Sequence, residues 1–152
     1  MSTNHFSAGY IFQKIEGIWY VLVVKDKRFN EPKAAGGMSE DDEDSITTLR
    51  RELRQELGVD VIEAVIVHEV NKGDHTQYFF LVTEVRGLPA IDEKRELREI
   101  KAGVPGDALD MSWVTLDEFS RRVYKGQYEA FQKAVKKMAE DRTFCMDNLK
   151  YL

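Results

Sequence analysis

Three features of the 152-residue chain predict an α/β fold in which helices flank a sheet. Residues 18–24 (Ile-Trp-Tyr-Val-Leu-Val-Val) are apolar almost without interruption, the pattern of a strand covered on both faces rather than of one with a wet side. Ile46, Leu49, Leu53 and Leu57 recur at helical spacing, giving one apolar stripe to lay on a sheet. Residues 59–70 and 76–85 then return to strand-like composition, so helix and strand alternate along the chain.

Taken in order, residues 6–14 and 18–25 form a hairpin around the short turn Glu16-Gly17. The polar stretch 26–35, with Pro32, is a loop that delivers the chain to Gly36 and Gly37. Asp44 or Ser45 caps the next helix, Gly58 stops it, and the acidic residues before it suit the positive end of its dipole. Asn71 to Asp74 joins the second strand pair as a turn. Residues 86–107 are bracketed by Gly and Pro and form a surface insertion around a charged segment, 92–101. A last strand at 109–114 leads into Thr115-Leu116-Asp117-Glu118, a capping-box pattern. Tyr128, Phe131, Val135 and Met138 mark a further helix, separated from the first by Gly126. No repeat or linker is visible, and a single domain spanning 1–152 is expected.

Composition narrows the function. Apolar residues at 43% and charged residues at 32% are globular values. The net charge of -5, with an unbroken acidic run at residues 40–44, repels a phosphate backbone, so duplex DNA is not an expected partner. Lys133, Lys136 and Lys137 form the solvated face of a helix. Cys145 is the only cysteine, and neither an intramolecular disulfide nor a zinc-type cluster can be built from it. No apolar run reaches the ~18 residues of a membrane span, and the first residues lack a leader pattern, so a cytoplasmic location and no membrane partner are expected. His5, His68 and His75 stand singly and read as ordinary strand or loop residues.

Chemistry is concentrated on the helix at 45–57. Glu52 and Glu56 lie four residues apart on one face, where like charges destabilise each other. By itself such a pair is ordinary surface charge. A divalent cation would relieve the repulsion, and Mg2+ fits better than zinc because it is hard, takes oxygen ligands and borrows more of them from phosphates.

The context is specific. Gly37-x5-Glu43-x7-Arg51-Glu52-Leu53-x-Gln55-Glu56-x-Gly58-Val59 resembles the Nudix box, G-x5-E-x7-R-E-U-x-E-E-x-G-U with U a bulky aliphatic residue, at eight of its nine defined positions. The resemblance implies an α/β/α sandwich with a mixed sheet, covering about residues 6–138 with a tail at 139–152. It also implies hydrolysis of a pyrophosphate bond in a nucleoside diphosphate linked to another moiety, with Mg2+ as cofactor and Mn2+ as its substitute. Carried over by position, Glu52 and Glu56 correspond to metal-ligand glutamates, the Gly36 carbonyl to a backbone ligand, and Arg51 with Glu43 to a pair bracing loop and helix. Gln55 departs from the pattern: it stands where the family has a glutamate that commonly binds metal. An amide oxygen can still coordinate but brings no charge.

Two functions follow from that departure. In one the chain is a hydrolase with a weakened metal site; in the other it is a nucleotide-binding or regulatory module that has lost turnover. Candidates for the general base are the box glutamates and Glu96, Glu99 and Asp107 in the late insertion. The expected partner is a small-molecule nucleotide, and a homodimer is the symmetric default for such a domain.

Overall fold

The computed structural model describes residues 4–26, 32–40, 42–87, 109–123 and 125–140. Seven strands run through them: β1 (His5–Tyr10), β2 (Phe12–Ile15), β3 (Ile18–Asp26), β4 (Ala35–Met38), β5 (Asp60–Asn71), β6 (Thr76–Arg86) and β7 (Leu109–Thr115). The helices are α1 (Ser45–Leu57), α2 (Leu116–Arg122) and α3 (Tyr128–Glu140), the last preceded by a 3-10 turn at Lys125–Gln127.

The strands form two sheets. One is mixed, in the order β4-β1-β6-β5, with β1 parallel to β6 and the outer pairs antiparallel; the other is antiparallel, in the order β2-β3-β7. The flanked α/β architecture expected from sequence is thus present, but three details differ. Residues 6–14 are not one strand: the chain breaks at Ile11, so that β1 joins the mixed sheet and β2 the other. Apolar composition continues across that break and hides it. Ala35–Met38, Ala-Gly-Gly-Met, is a strand paired with β1, which strand propensity does not indicate because Gly is depleted in strands. At Thr115 only half of the expected capping box is seen: Thr115 Oγ1 accepts from the Glu118 N–H at 3.1 Å, while the Glu118 carboxylate accepts from Arg122.

The β2-β3 turn is formed as expected, with Glu16 and Gly17 both at positive φ (51° and 82°), the two-residue geometry whose twist matches that of the strands. α1 is capped at both ends. Asp44 accepts from the Thr47 N–H at 2.8 Å, and Gly58, at φ 70°, donates to the Arg54 carbonyl.

β1 sorts its side chains by alternation. Phe6, Ala8 and Tyr10 face an aromatic core in which Tyr10 contacts Phe12, Phe79, Phe119 and Phe131. His5, Ser7 and Gly9 face α1: Ser7 Oγ donates to the Ser45 carbonyl, and a Cβ on Gly9 would press on Leu49 of α1 as well as on Val82. α1 and the aromatic core under α3 therefore lie on opposite faces of the mixed sheet. Leu49, Leu53 and Leu57 are fully buried, contributing roughly 1.5–3 kcal/mol each. That exceeds the ~0.2–0.5 kcal/mol that the Glu52–Glu56 repulsion costs, so α1 folds with two like charges on its other face.

Candidate active site

β4 is an edge strand, held on one side by β1 and approached on the other by α1. Two consecutive glycines in it meet two carboxylates separated by one helical turn. The Gly36 N–H donates to Glu56 Oε2 at 3.1 Å. A Cβ on Gly37 would lie 2.5 Å from Glu52 Cδ and 2.7 Å from both its carboxylate oxygens. Glycine is needed at both positions: at Gly36 because a Cβ would run into the β1 backbone, and at Gly37 because the Glu52 carboxylate occupies that space. In a strand the N–H and C=O of one residue point to the same edge, so the Gly36 carbonyl is also directed to the α1 side of β4.

Arg51 sets the orientation of this cluster. Its Nε and Nη2 reach the two oxygens of Glu43 at 2.8 and 3.0 Å, a bidentate fork. Nη2 also donates to the Met38 carbonyl at 2.9 Å, and Nη1 to Glu52 Oε1 at 2.8 Å. One guanidinium thus ties the end of β4, the following loop and the Glu52 carboxylate together. Glu43 accepts as well from the Glu40 N–H at 2.8 Å and from Thr48 Oγ1 at 3.0 Å. Its carboxyl pKa falls from 4.5 to about 2, chiefly through the Arg51 hydrogen bonds, and those bonds in turn raise the Arg51 pKa.

Of the residues singled out from sequence, Gly36, Glu43, Arg51, Glu52 and Glu56 come together here. Gln55 is exposed, with its amide oxygen 3.4 Å from Arg51 Nη1, at the limit of a hydrogen bond. Glu96, Glu99 and Asp107 lie outside the described residues. Two members escaped the sequence reading. Thr48 lies beside the leucine stripe of α1 and is completely buried, and His5 is 7% exposed with Nε2 2.8 Å from Thr48 Oγ1. A fully buried threonine needs a partner, yet nothing in the spacing says which.

The donor set suits a hard divalent cation. Every available atom is a carboxylate or carbonyl oxygen, and Glu52 is held in place by Arg51 and by the missing Cβ of Gly37. Among the described residues no group of three or more His, Cys, Asp or Glu forms a ready-made metal cage. Two acids and a backbone oxygen leave positions for water and substrate phosphate, the mode typical of Mg2+ and open to Mn2+.

Comparison with known proteins identifies the fold and the family. A MutT structure reported for Aliivibrio salmonicida and Vibrio cholerae superposes with a TM-score of 0.69 at 20% identity, covering 88% of this chain and 98% of that one. The NUDIX domain of Shewanella oneidensis NrtR, complexed with ADP ribose, superposes at 0.67 with 14% identity, covering 91% and 90%. A MutT protein from Bacillus halodurans gives 0.63 at 17% identity, covering 85% and 80%. At these identities the likeness establishes the fold. No curated protein matches the sequence. The sequence model of the NUDIX domain matches residues 4–134, most of the chain, and the chain therefore belongs to the Nudix family.

Proposed function

We propose that the chain hydrolyses a pyrophosphate bond in a nucleoside diphosphate derivative with the help of Mg2+, Mn2+ being able to replace it. The observation that carries this reading is the convergence of Glu52 and Glu56 on the Gly36–Gly37 backbone. Glu52, Glu56 and the Gly36 carbonyl would hold the ion, with Gln55 as a neutral neighbour able to join directly or through water. When bound, the cation supplies charge neutralisation to phosphate oxygens and lowers the pKa of water. Arg51 keeps Glu52 oriented, and Glu43 keeps Arg51 in place. Gly36 and Gly37 let β1 and the Glu52 carboxylate lie directly against the β4 backbone. A carboxylate acting as general base would take the proton of the attacking water, and Glu52, Glu56, Glu96, Glu99 and Asp107 are the candidates.

The rest of the substrate has a place close by. A cavity of about 230 Å³ between β3, β7 and α2 is lined by Val23, Lys25, Pro32, Ser112, Glu118 and Arg122 among others. Pro32 precedes Gly36 by four residues, a separation of at most about 14 Å. Mixed apolar and charged lining suits a sugar or base bearing a further polar group.

A second reading, a nucleotide-binding or regulatory module without efficient turnover, is favoured by the exposed, uncharged Gln55. The NrtR domain complexed with ADP ribose makes such a nucleotide a sensible probe. The deciding experiment incubates the protein with Mg2+ and a panel of nucleoside triphosphates, ADP-ribose, nucleotide sugars and dinucleoside polyphosphates, and identifies the products by mass. Metal-dependent release of a monophosphate, abolished in Glu56→Gln, is the expected result. Saturable binding without product on any member would overturn hydrolysis in favour of the second reading.

A further inference from the structure

We propose that His5 and Thr48 form a buried positioning relay that fixes the Glu43–Arg51 clamp, and through it Glu52, from the first residue of β1. The proposal rests on the hydrolase reading only for its effect on metal binding; the relay itself is geometric.

The direction of each hydrogen bond follows from chemistry. Glu43, ionised beside Arg51, can only accept. Thr48 Oγ1, 3.0 Å from Glu43 Oε1, must therefore donate its single hydrogen to it. The same hydroxyl lies 2.8 Å from His5 Nε2 and has only lone pairs left for that contact, so His5 must carry a hydrogen on Nε2 and donate it. The chain His5 to Thr48 to Glu43 then has one polarity, and each bond strengthens the next.

Burial makes this more than a surface coincidence. Thr48 is fully buried and His5 nearly so, and hydroxyl and imidazole groups removed from water are costly unless paired. A threonine within a helix ordinarily bonds back to its own preceding turn; here it reaches across to the loop and to β1 instead. The His5 ring is held edge-on by Tyr78, with centroids 5.7 Å apart at 81°.

The main chain of His5 adds a second tie. Its N–H donates to Ser39 Oγ at 3.0 Å, and its carbonyl accepts from the Ser39 N–H at 2.7 Å. One residue at the start of β1 thus secures Ser39, just after the glycine pair, through its backbone, and Glu43 through its side chain and Thr48. Both ends of the segment that carries Glu40 and Glu43 are pinned by the same strand end. Of His5, Thr48 and Glu43 only Glu43 touches Arg51, so His5 acts at a distance of four hydrogen bonds from Glu52.

The test follows the Arg51 side-chain Nε–H resonance by NMR in 15N-labelled protein, together with Mn2+ affinity. In His5→Met and in Thr48→Val the Arg51 signal is expected to shift and its hydrogen to exchange with water about tenfold faster. Mn2+ affinity should fall by about tenfold, the low end for loss of an outer support of a metal ligand. His5→Gln and Thr48→Ser, which retain donor and hydroxyl, should restore both readouts to within about twofold of the original. In the double variant the losses should not multiply, because both residues belong to one chain.

A role confined to local packing would disturb Ser39 and Thr48 but leave Arg51 alone, and an unchanged Arg51 signal in folded His5→Met overturns the relay. Absence of Mn2+ binding in the unaltered protein would instead count against the hydrolase reading, and the Arg51 response would still decide the relay. Should Thr48→Val fail to fold, His5→Met at the strand end carries the same test.

Discussion

The substitution Gly37→Ala isolates what Glu52 does. Gly37 is not among the residues with positive φ, so its backbone conformation accepts alanine. The three atoms nearest the added methyl all belong to the far end of one flexible side chain, with Glu52 Cδ at 2.5 Å. To regain the 3.4 Å of ordinary contact the carboxyl must retreat by about 0.9 Å. For folding that is a rotamer adjustment, costing about 1 kcal/mol or less. For catalysis a displacement near 1 Å in a group that positions the reaction costs on the order of 10²-fold, or about 2.7 kcal/mol of barrier.

Stability and activity should therefore separate in this variant. Urea denaturation should show little change, while kcat falls on the order of 10²-fold and the Mg2+ concentration for half-activation rises. Gly36→Ala supplies the contrast, because its Cβ would lie 2.1 Å from the Ser7 carbonyl oxygen and 2.6 Å from Ala8 Cα. Backbone cannot yield as a carboxylate does, so that protein should lose stability first, with β4 forced from β1. Full turnover and an unchanged Mg2+ requirement in Gly37→Ala would refute the assignment of Glu52 as an ion-holding group at this place.

Glu56→Gln keeps an oxygen for the Gly36 N–H but removes the charge, so calorimetry should show Mg2+ affinity reduced about tenfold or more with the melting temperature little changed. Gln55→Glu adds a carboxylate next to Arg51; the expected outcome is tighter Mg2+ binding by calorimetry, and an unchanged affinity would show that this side chain faces away from the ion. Glu43 has its pKa depressed from 4.5 to about 2, so the stability it contributes is complete above pH about 4.5 and is lost as pH falls toward 2. Urea midpoints measured across that window should drop more steeply in the unaltered protein than in Glu43→Gln. Thr115→Ala removes the acceptor for the Glu118 N–H and should destabilise the protein by about 1 kcal/mol in chemical denaturation.

How much of this was legible in the sequence follows from which physical rule governs each residue. The extent of α1 was readable, because its leucine stripe, its Gly58 stop and its paired glutamates are local patterns whose spacing determines their geometry, with Asp44 and Ser45 both open as the cap and Asp44 filling that place. β3 was readable because burial on both faces leaves an apolar run. β4 was not: its two glycines carry no strand propensity, and it is a strand because β1 offers an edge while the β1 backbone at Gly36 and the Glu52 carboxylate at Gly37 leave no room for side chains. The element that looks least like structure is the one the site depends on.

The same logic explains why Arg51 and Glu43 could be named from the chain but His5 could not. Arg51 and Glu43 belong to a fixed spacing within one loop and helix, so their meeting is encoded locally. His5 meets Thr48 across 43 residues, and that contact exists only because β1 lies between β4 and β6 with its first residue turned toward α1. A histidine at the start of a strand has no sequence mark that separates it from any other. What gives it a distinct place is a fully buried hydroxyl that needs a donor, beside a carboxylate that can only accept. Such residues are found by following each buried polar atom to its partner and asking which hydrogen is left to make the bond.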